Sequence, residues 1–278
     1  VSRHSLAIGT AIGRHATLLV TGAFMMAPFI WMLSQSLKPP GEIFNGSFSF
    51  FPTQWYAVEN YSTALTAALL PRFLLNGLVV CGSILTLQIA VAAPAGYALA
   101  KLNFPGRALL FGLVLVGLLL PRQALALPWF ILCYQLGILN SYAALILPFI
   151  VSPFGIFLFR QFFRSIPDDI VHAARLDGLS ELAIVWRIMV PMARPALIAF
   201  SIVSIVAHWN DLFWPTIVIK SEALMPPSLG VAAFRSLEAG SDYGPLMAGA
   251  VLVVLPLLIA FAIAQRWFIE GLATSSLK

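Results

Sequence analysis

Charge is scarce in this chain. Asp, Glu, Lys and Arg make up 10% of its 278 residues, against roughly 25% in a soluble domain. With 60% hydrophobic residues and a mean hydropathy of +0.93, it carries more apolar surface than folding alone could hide, because a soluble chain buries only part of what it exposes when unfolded. Lipid must cover the rest. Cysteine is scarcer still: Cys81 and Cys133 each lie inside an apolar stretch, without metal-ligand spacing, and read as small buried hydrophobes. None of the four lysines, Lys38, Lys101, Lys220 and Lys278, follows a glycine, which excludes a Walker A loop and ATP hydrolysis by that route. His4, His15, His172 and His208 are dispersed, with no HExxH spacing, so no metal site is expected. No convincing nucleophile and base pair is present, and an intramembrane enzyme is not expected. The 16 basic residues outnumber the 11 acidic ones, but they are scattered between apolar runs, and nucleic acid is set aside as a partner.

Long apolar runs are what the chain has in abundance. A helix needs about 20 apolar residues to cross the hydrocarbon, and such runs occupy residues 16–37, 73–100, 108–132, 143–163, 196–219 and 245–264. They predict an all-α, polytopic membrane protein of six transmembrane helices, with residues 1–278 as a single domain. Barrel strands would be short and would alternate in polarity, whereas these runs are continuous. Pro28, Pro94, Pro121, Pro128, Pro148, Pro153, Pro215 and Pro256 lie inside them, and predict kinks of the kind membranes tolerate where neighbours re-satisfy the freed carbonyls. The first run is long enough to span and lacks a small-residue cleavage pattern, so it is expected to be retained. With loops alternating in side, eleven basic residues fall on one side (Arg3, Arg14, Lys101, Arg107, Arg160, Arg164, Arg175, Arg187, Arg194, Arg266 and Lys278) and four on the other (Lys38, Arg72, Lys220 and Arg235). That asymmetry predicts both termini in the cytoplasm.

The longest cytoplasmic connection, residues 164–195, reads RSIPDDIVHAARLDGLSELAIVWRIMVPMARP. It has the signals of two short helices about a glycine. Pro167 precedes Asp168 and Asp169, which suit the positive end of a helix. Arg175 closes that helix and Gly178 supplies a left-handed position after it. Ser180 is placed to cap the next helix, with Glu181 in its first turn, and Pro191 and Pro195 mark the approach to the fifth span.

Ionisable residues inside spans are functional candidates, since each costs at least about 2.5–3.5 kcal/mol at a helix centre on insertion scales. Arg122 and Asp211 qualify. At 1.5 Å per residue they lie roughly 21 and 22 Å beyond the cytoplasmic ends of their spans. One reading is a polar cavity lined by Arg122, Gln123, His208, Asn210 and Asp211, with Trp209 and Trp214 as stacking surfaces for a hydroxylated ligand. The other is an ion pair or an interfacial helix end that only fixes packing. For each tryptophan alone, an aromatic belt at headgroup level is the simpler account. Asn76 and Gln88 suit hydrogen bonding between helices.

With these residues in view, the chain resembles the membrane permease subunits of binding-protein-dependent ABC importers. Their signature loop reads EAA, three residues, G, nine residues, I-x-L-P. Ala173, Ala174, Gly178, Ile188 and Pro191 stand at those spacings and Asp177 before the glycine is typical, while His172 replaces the glutamate and Val190 the leucine. The closest likeness is to the carbohydrate-uptake branch, of the maltose permease G subunit type. PFIWMLSQSLK (28–38), YALAKLNFPGR (97–107), LGILNSYAALILP (136–148), FLFRQFFRSIP (157–167), WNDLFWP (209–215) and QRWFIEGL (265–272) extend it along nearly the whole chain.

The resemblance implies a type I ABC importer architecture in a bacterial inner membrane. It implies that His172, Ala173, Ala174, Asp177, Gly178, Ile188 and Pro191 belong to a coupling helix and its flanks, docking on a cytoplasmic ATPase. The implied partners are a second homologous permease, two ATPase subunits and an extracytoplasmic binding protein. ATP and Mg2+ would be held by the ATPases, with no cofactor on this chain. The tail from Ile269 to Lys278 matches the region that touches the ATPase interface in related importers. The implied solute is a sugar or sugar-like compound such as an oligosaccharide, a polyol or glycerol phosphate. A secondary, ion-coupled carrier is the alternative, since it too would place ionisable residues near broken helices, but it gives the loop no purpose.

Overall fold

A computed structural model describes residues 2–43, 49–66, 69–237 and 243–275. Every regular element among the described residues is helical. In chain order these are α1 (Ser2–Gln35), α2 (Ala57–Thr66), α3 (Leu70–Lys101), α4 (Arg107–Leu119), α5 (Ala126–Gln135), α6 (Tyr142–Ile146) and α7 (Pro153–Ser165). They are followed by α8 (Asp168–Leu176), α9 (Glu181–Ile184), α10 (Val190–Met192), α11 (Arg194–Trp209), α12 (Phe213–Val218), α13 (Pro227–Leu237) and α14 (Tyr243–Ser275).

Three helical segments are long and apolar enough to cross a bilayer unaided: Gly13–Gln35, Leu70–Lys101 and Tyr243–Ile263. Three further pairs are long and apolar enough only when taken together across a bend: Arg107–Leu119 with Arg122–Gln135 at 103°, Tyr142–Phe149 with Pro153–Ser165 at 42°, and Glu181–Met192 with Arg194–Trp209 at 85°. Counting each bent pair as one crossing gives up to six.

The third, fourth and fifth apolar runs are each broken within the run, between Leu119 and Arg122, between Phe149 and Pro153, and after Trp209, so they are not continuous helices that merely kink at their prolines. In the third, Pro121 forces Leu120 out of the helical region, to φ −74° and ψ 123°, and α4 ends. In the fifth, α11 stops at Trp209, and 213–218 forms a separate short helix. Asn210 and Asp211 supply the side-chain bonds that such a stop requires: Asn210 Nδ2 donates to the Val206 carbonyl at 2.9 Å, and Asp211 Oδ1 accepts from the Trp214 N–H at 3.2 Å.

The chain divides into two compact units, Val1–Leu70 with Ala233–Val254, and Pro71–Ala232 with Leu255–Lys278. In the first, the segment after α1 folds back through polar contacts. Lys38, only 1% exposed, donates to the Ser49 carbonyl at 2.5 Å and stands 5.4 Å from the Trp31 ring. Glu42 accepts from the Thr53 N–H and hydroxyl, and the Asn60 amide donates to the Ser36 and Lys38 carbonyls.

The second unit holds two apolar cores. One gathers Ala92, Ala93 and Tyr97 of α3 with Phe159 and Phe163 of α7, Val171 and Ala174 of α8, Ile184, Met189 and Phe200. The other gathers Val80 and Ile84 of α3 with Cys133, Leu145, Phe149, Trp214 and Val218. Both cysteines are free and buried. Polar side chains bridge the helices around them. Asn76 donates to the Ala223 and Met225 carbonyls and accepts from the Tyr142 hydroxyl, and Gln88 donates to the Phe149 carbonyl and accepts from Ser204.

Close approach of α3 and α7 depends on Gly96. A Cβ there would lie 2.8 Å from the Phe159 Cβ and 3.0 Å from the Arg160 backbone nitrogen, neither of which can swing aside. Gly96→Leu should therefore cost about 1–3 kcal/mol by overpacking. Thermal unfolding of the detergent-solubilised chain should show a clear fall in midpoint, whereas the same change at Gly82, with nothing within 4 Å, should leave it nearly unmoved.

Candidate functional site

The loop between α7 and α11 is built by local signals. Pro167, at φ −56°, leads into α8 with Asp168 and Asp169 in the first turn. At the other end Gly178 takes φ +80°, the Gly178 N–H bonds the Arg175 carbonyl at 3.0 Å, and the Leu179 N–H bonds the Ala174 carbonyl at 3.1 Å. This paired cap satisfies the last carbonyls of α8 and turns the chain sharply. Ser180 then accepts from the Ala183 N–H at 3.3 Å and starts α9. Residues Val185–Met189 form a π-turn, with the Val190 N–H reaching the Val185 carbonyl. The widened turn accommodates Pro191, which lacks an N–H for the regular ladder.

Side chains from α3 grip this elbow at both ends. Lys101 Nζ donates to the Ile166 carbonyl and to Asp168 Oδ1, both at 2.5 Å, at the start of α8. At its far end Arg175 forms a forked pair with Glu181, Nε to Oε1 at 2.8 Å and Nη2 to Oε2 at 3.2 Å. The Tyr97 hydroxyl donates to the same Oε2 at 2.5 Å. The Lys101 hydrogen bond and charge hold the Asp168 carboxyl below its ordinary range. The Arg175 guanidinium, joined by the Tyr97 hydroxyl, does the same for Glu181. Tyr97 and Lys101 lie 84 and 67 residues from their partners, a separation at which no sequence pattern connects them.

Among the residues assigned to coupling, His172, Ala173, Asp177, Gly178 and Pro191 are exposed, and Ile188 is half-buried. Ala174 is 3% exposed and packs in the core, so close approach from outside falls to Ala173 alone. Leu176, not singled out from sequence, is 89% exposed at the tip of α8. The side chains of residues 269–278 lie outside the described residues.

The helix breaks that follow α4 and α11 meet around a cavity of about 210 Å3. Arg122, Gln123, Asp211 and Trp214 line it, together with Trp129, Phe149 and Phe213, which sequence reading missed. Arg122 stands 5.6 Å from the Phe149 ring. The ion pairs closer than 4.0 Å among the described residues are Lys101–Asp168 and Arg175–Glu181, so Arg122 and Asp211 both face the cavity without closing on each other. Trp214 is buried, donates Nε1–H to the Ala144 carbonyl at 2.9 Å, and meets Trp129 edge-on at 5.8 Å. The remaining expected residues lie elsewhere. His208 packs behind Phe149, 5.1 Å between rings, with Nδ1 on the Ser204 carbonyl at 2.7 Å. Trp209 is 2% exposed and packs beside Gly77, and the Asn210 amide is spent on its own helix. Neither tryptophan sits in a lipid-facing belt, because both are enclosed by protein. Among the described residues no group of three or more His, Cys, Asp or Glu could hold a metal ion.

Residues 92–273 match the family described as "Binding-protein-dependent transport system inner membrane component". The chain belongs to this family. It is 34% identical to the arabinooligosaccharides transport system permease protein AraQ of Halalkalibacterium halodurans, over 90% of each chain. It is 34% identical to the diacetylchitobiose uptake system permease protein NgcG of Streptomyces coelicolor, over 91% of this chain and 84% of that one. Identity to the lactose transport system permease protein LacG of Rhizobium radiobacter is 30%, over 95% of each. The fold is that of a chain in the crystal structure of a bacterial ABC transporter that imports alginate, with a TM-score of 0.82 at 22% identity, covering 96% of this chain and 99% of that one. Members of this family are multi-pass transport components of the inner membrane and not enzymes. The loop's spacing in this family member is thus carried by a capped elbow held to α3.

Replacing Glu181 tests that hold. Glu181→Gln should cost about 1 kcal/mol or less, because its pair with Arg175 is more than a third exposed. The lowered carboxyl pKa makes this contribution full above the ordinary value of 4.5 and lost as pH falls through the lowered one. Thermal unfolding of the two proteins should therefore differ equally at pH 7 and pH 5, and the difference should shrink below about pH 4.5.

Proposed function

We propose that this family member is one transmembrane subunit of an ATP-driven importer, forming half of the translocation pathway for a sugar or sugar-like solute. The solute class is an oligosaccharide, a polyol or glycerol phosphate. The observation that carries the coupling role is the outward face of α8. Its inner side is fixed by Val171 and Ala174 in the core and its ends by Lys101 and Glu181, while His172, Ala173 and Leu176 stand clear of the chain's own packing. A leucine 89% exposed on a rigid, capped tip suits insertion into a cleft on another protein. That protein is an ATPase subunit, which binds ATP and Mg2+ and whose closure reaches the transmembrane helices through the elbow.

The relatives favour the solute class: permeases similar to this chain carry names for arabinooligosaccharide, diacetylchitobiose, lactose and sn-glycerol-3-phosphate transport. The cavity's chemistry agrees, with aromatic faces at Trp129 and Trp214, and polar groups at Gln123, Arg122 and Asp211. A structural relative at 16% identity, with a TM-score of 0.59, comes from an alginate transporter in complex with a substrate-bound periplasmic protein. An extracytoplasmic binding protein, a second homologous permease and two ATPase subunits complete the proposed assembly. The excess of basic residues on one side supports a cytoplasmic position for both termini and the loop. Nothing in the relatives favours the ion-coupled carrier.

Leu176→Asp tests the coupling. Because Leu176 makes little contact within the chain, folding should change by no more than about 0.5 kcal/mol. Removing a buried leucine anchor from the interface should weaken ATPase retention during co-purification by roughly tenfold or more. Solute uptake into vesicles should require ATP and fall in parallel. Unchanged retention, or uptake by the chain alone in ATP-free vesicles, would reject the coupling role.

A further inference from the structure

Three arginines of the second unit meet without an acid. Arg160 of α7 lies within electrostatic reach of Arg107 and Arg164, and no carboxylate among the described residues acts on it. Arg107 is committed to backbone. Its Nε donates to the Leu99 carbonyl at 3.0 Å, its Nη2 to Ala100 at 3.1 Å, and its Nη1 to Leu102 and to Asn103 Oδ1 at 3.1 Å, capping the end of α3. Arg160 donates Nε–H to the Leu99 carbonyl at 3.2 Å, and its guanidinium carbon stands 3.5 Å from the centre of the Phe111 ring. Phe111 in turn stacks on Phe157 at 6.4 Å with 11° between the planes. The Nη groups of Arg160 have no hydrogen-bond partner among the described residues. Arg164 is exposed and outside both ion pairs, and Asp168, the next acid along the chain, is taken by Lys101.

This cluster borders an open groove of about 480 Å3 lined by Phe104, Gly106, Arg107, Ala108, Phe111 and Arg160. Immediately along α4, Leu109, Leu110 and Leu113 are exposed. Charge repulsion among guanidiniums calls for an anion, and the fork geometry of Arg160 suits a phosphate. The apolar floor of Phe104 and Phe111, continuing into exposed leucines, calls for a ligand whose anion is attached to hydrocarbon.

We propose that this groove between α4 and α7 binds the phosphate of an anionic phospholipid headgroup, with the acyl chains lying along the exposed leucines of α4. Arg160 and Arg164 contact the phosphate, Arg107 and Phe111 hold Arg160 in place, and Phe104 seats the glycerol end of the chains. The proposal rests on the membrane-spanning reading and not on the transported solute, and its test reads no transport.

The full chain, purified in detergent with whatever subunits accompany it, is titrated with phosphatidylglycerol, with phosphatidylcholine and with inorganic phosphate, and bound lipid is counted by native mass spectrometry. The wild type should retain phosphatidylglycerol in preference to phosphatidylcholine, and millimolar inorganic phosphate should not displace it. Since a basic residue near the membrane contributes about a fivefold preference for anionic lipid, the pair Arg160→Gln with Arg164→Gln should lower that preference about 25-fold. The pair Arg160→Lys with Arg164→Lys, which keeps the charge but not the fork, should retain part of it. A control pair, Arg187→Gln with Arg194→Gln, removes the same charge from exposed positions elsewhere and should lower the preference far less. The proposal fails if the control pair loses as much as the first, if the lysine pair loses as much as the glutamine pair, if neither changes anything, or if inorganic phosphate displaces the lipid.

Discussion

A peptide group in hydrocarbon has no water to bond, and each one left unpaired costs several kcal/mol. The architecture of this chain follows from that constraint. Where helices face outward over long stretches, as in α1 and the apolar part of α14, the helix continues through 23 and 21 residues and gives up the ladder bond at Pro28 and at Pro256. Where the ladder breaks, protein groups take over. After α11, Asn210 returns its amide to the Val206 carbonyl and Asp211 takes the Trp214 N–H. Trp214 in turn satisfies its indole on Ala144. The break after α4, at Leu120 and Pro121, opens toward the same place, so the polar cavity with Arg122 and Asp211 lies where the helices could not continue. A pathway for a hydroxylated solute needs polar groups in an apolar medium, and helix breaks enclosed by protein are where such groups can be held.

The same unit also carries a stiff link between membrane and loop. The end of α3 supplies Tyr97 and Lys101, which meet opposite ends of α8 through Glu181 and Asp168. Gly96, one residue before Tyr97, lets α7 pack directly on that stretch of α3. An inward or outward displacement of the elbow would therefore be shared by α3 and α7, because interlocked side chains move as a body. In the proposed transport cycle this is the route from an ATPase cleft to the helices.

Much of the loop was legible because its signals act over a few residues. Pro167, Gly178 and Ser180 each impose a backbone state or a cap within their own turn, and all of them do so in the structure. The ionic fork of Arg175 and Glu181 was not legible: each was read as a helix-end charge, and the elbow that brings them together also places Tyr97 beside them. Ala173 and Ala174 are equal in sequence terms, yet α8 turns one outward and the other into the core. Arg122 and Asp211 stood out because a charge inside an apolar run is expensive. Trp209 and Asn210 flank Asp211 and share its apparent context, but the end of α11 sends them in other directions.

The sequence by itself determined the solvent of this protein, the elbow of its loop and the family to which it belongs. Those properties come from hydrophobic partition and from turn chemistry, which depend on a residue and its near neighbours. Only the tertiary structure decided which prolines break a helix and which merely sit in one, as Pro121 does the first and Pro94 the second. It alone surrounded Arg122 and Asp211 with Trp129, Phe149 and Phe213, and set Arg160 beside Arg107 and Arg164. The reason is that a buried polar atom or a broken ladder survives only if some partner reaches it, and that partner comes from a segment far along the chain.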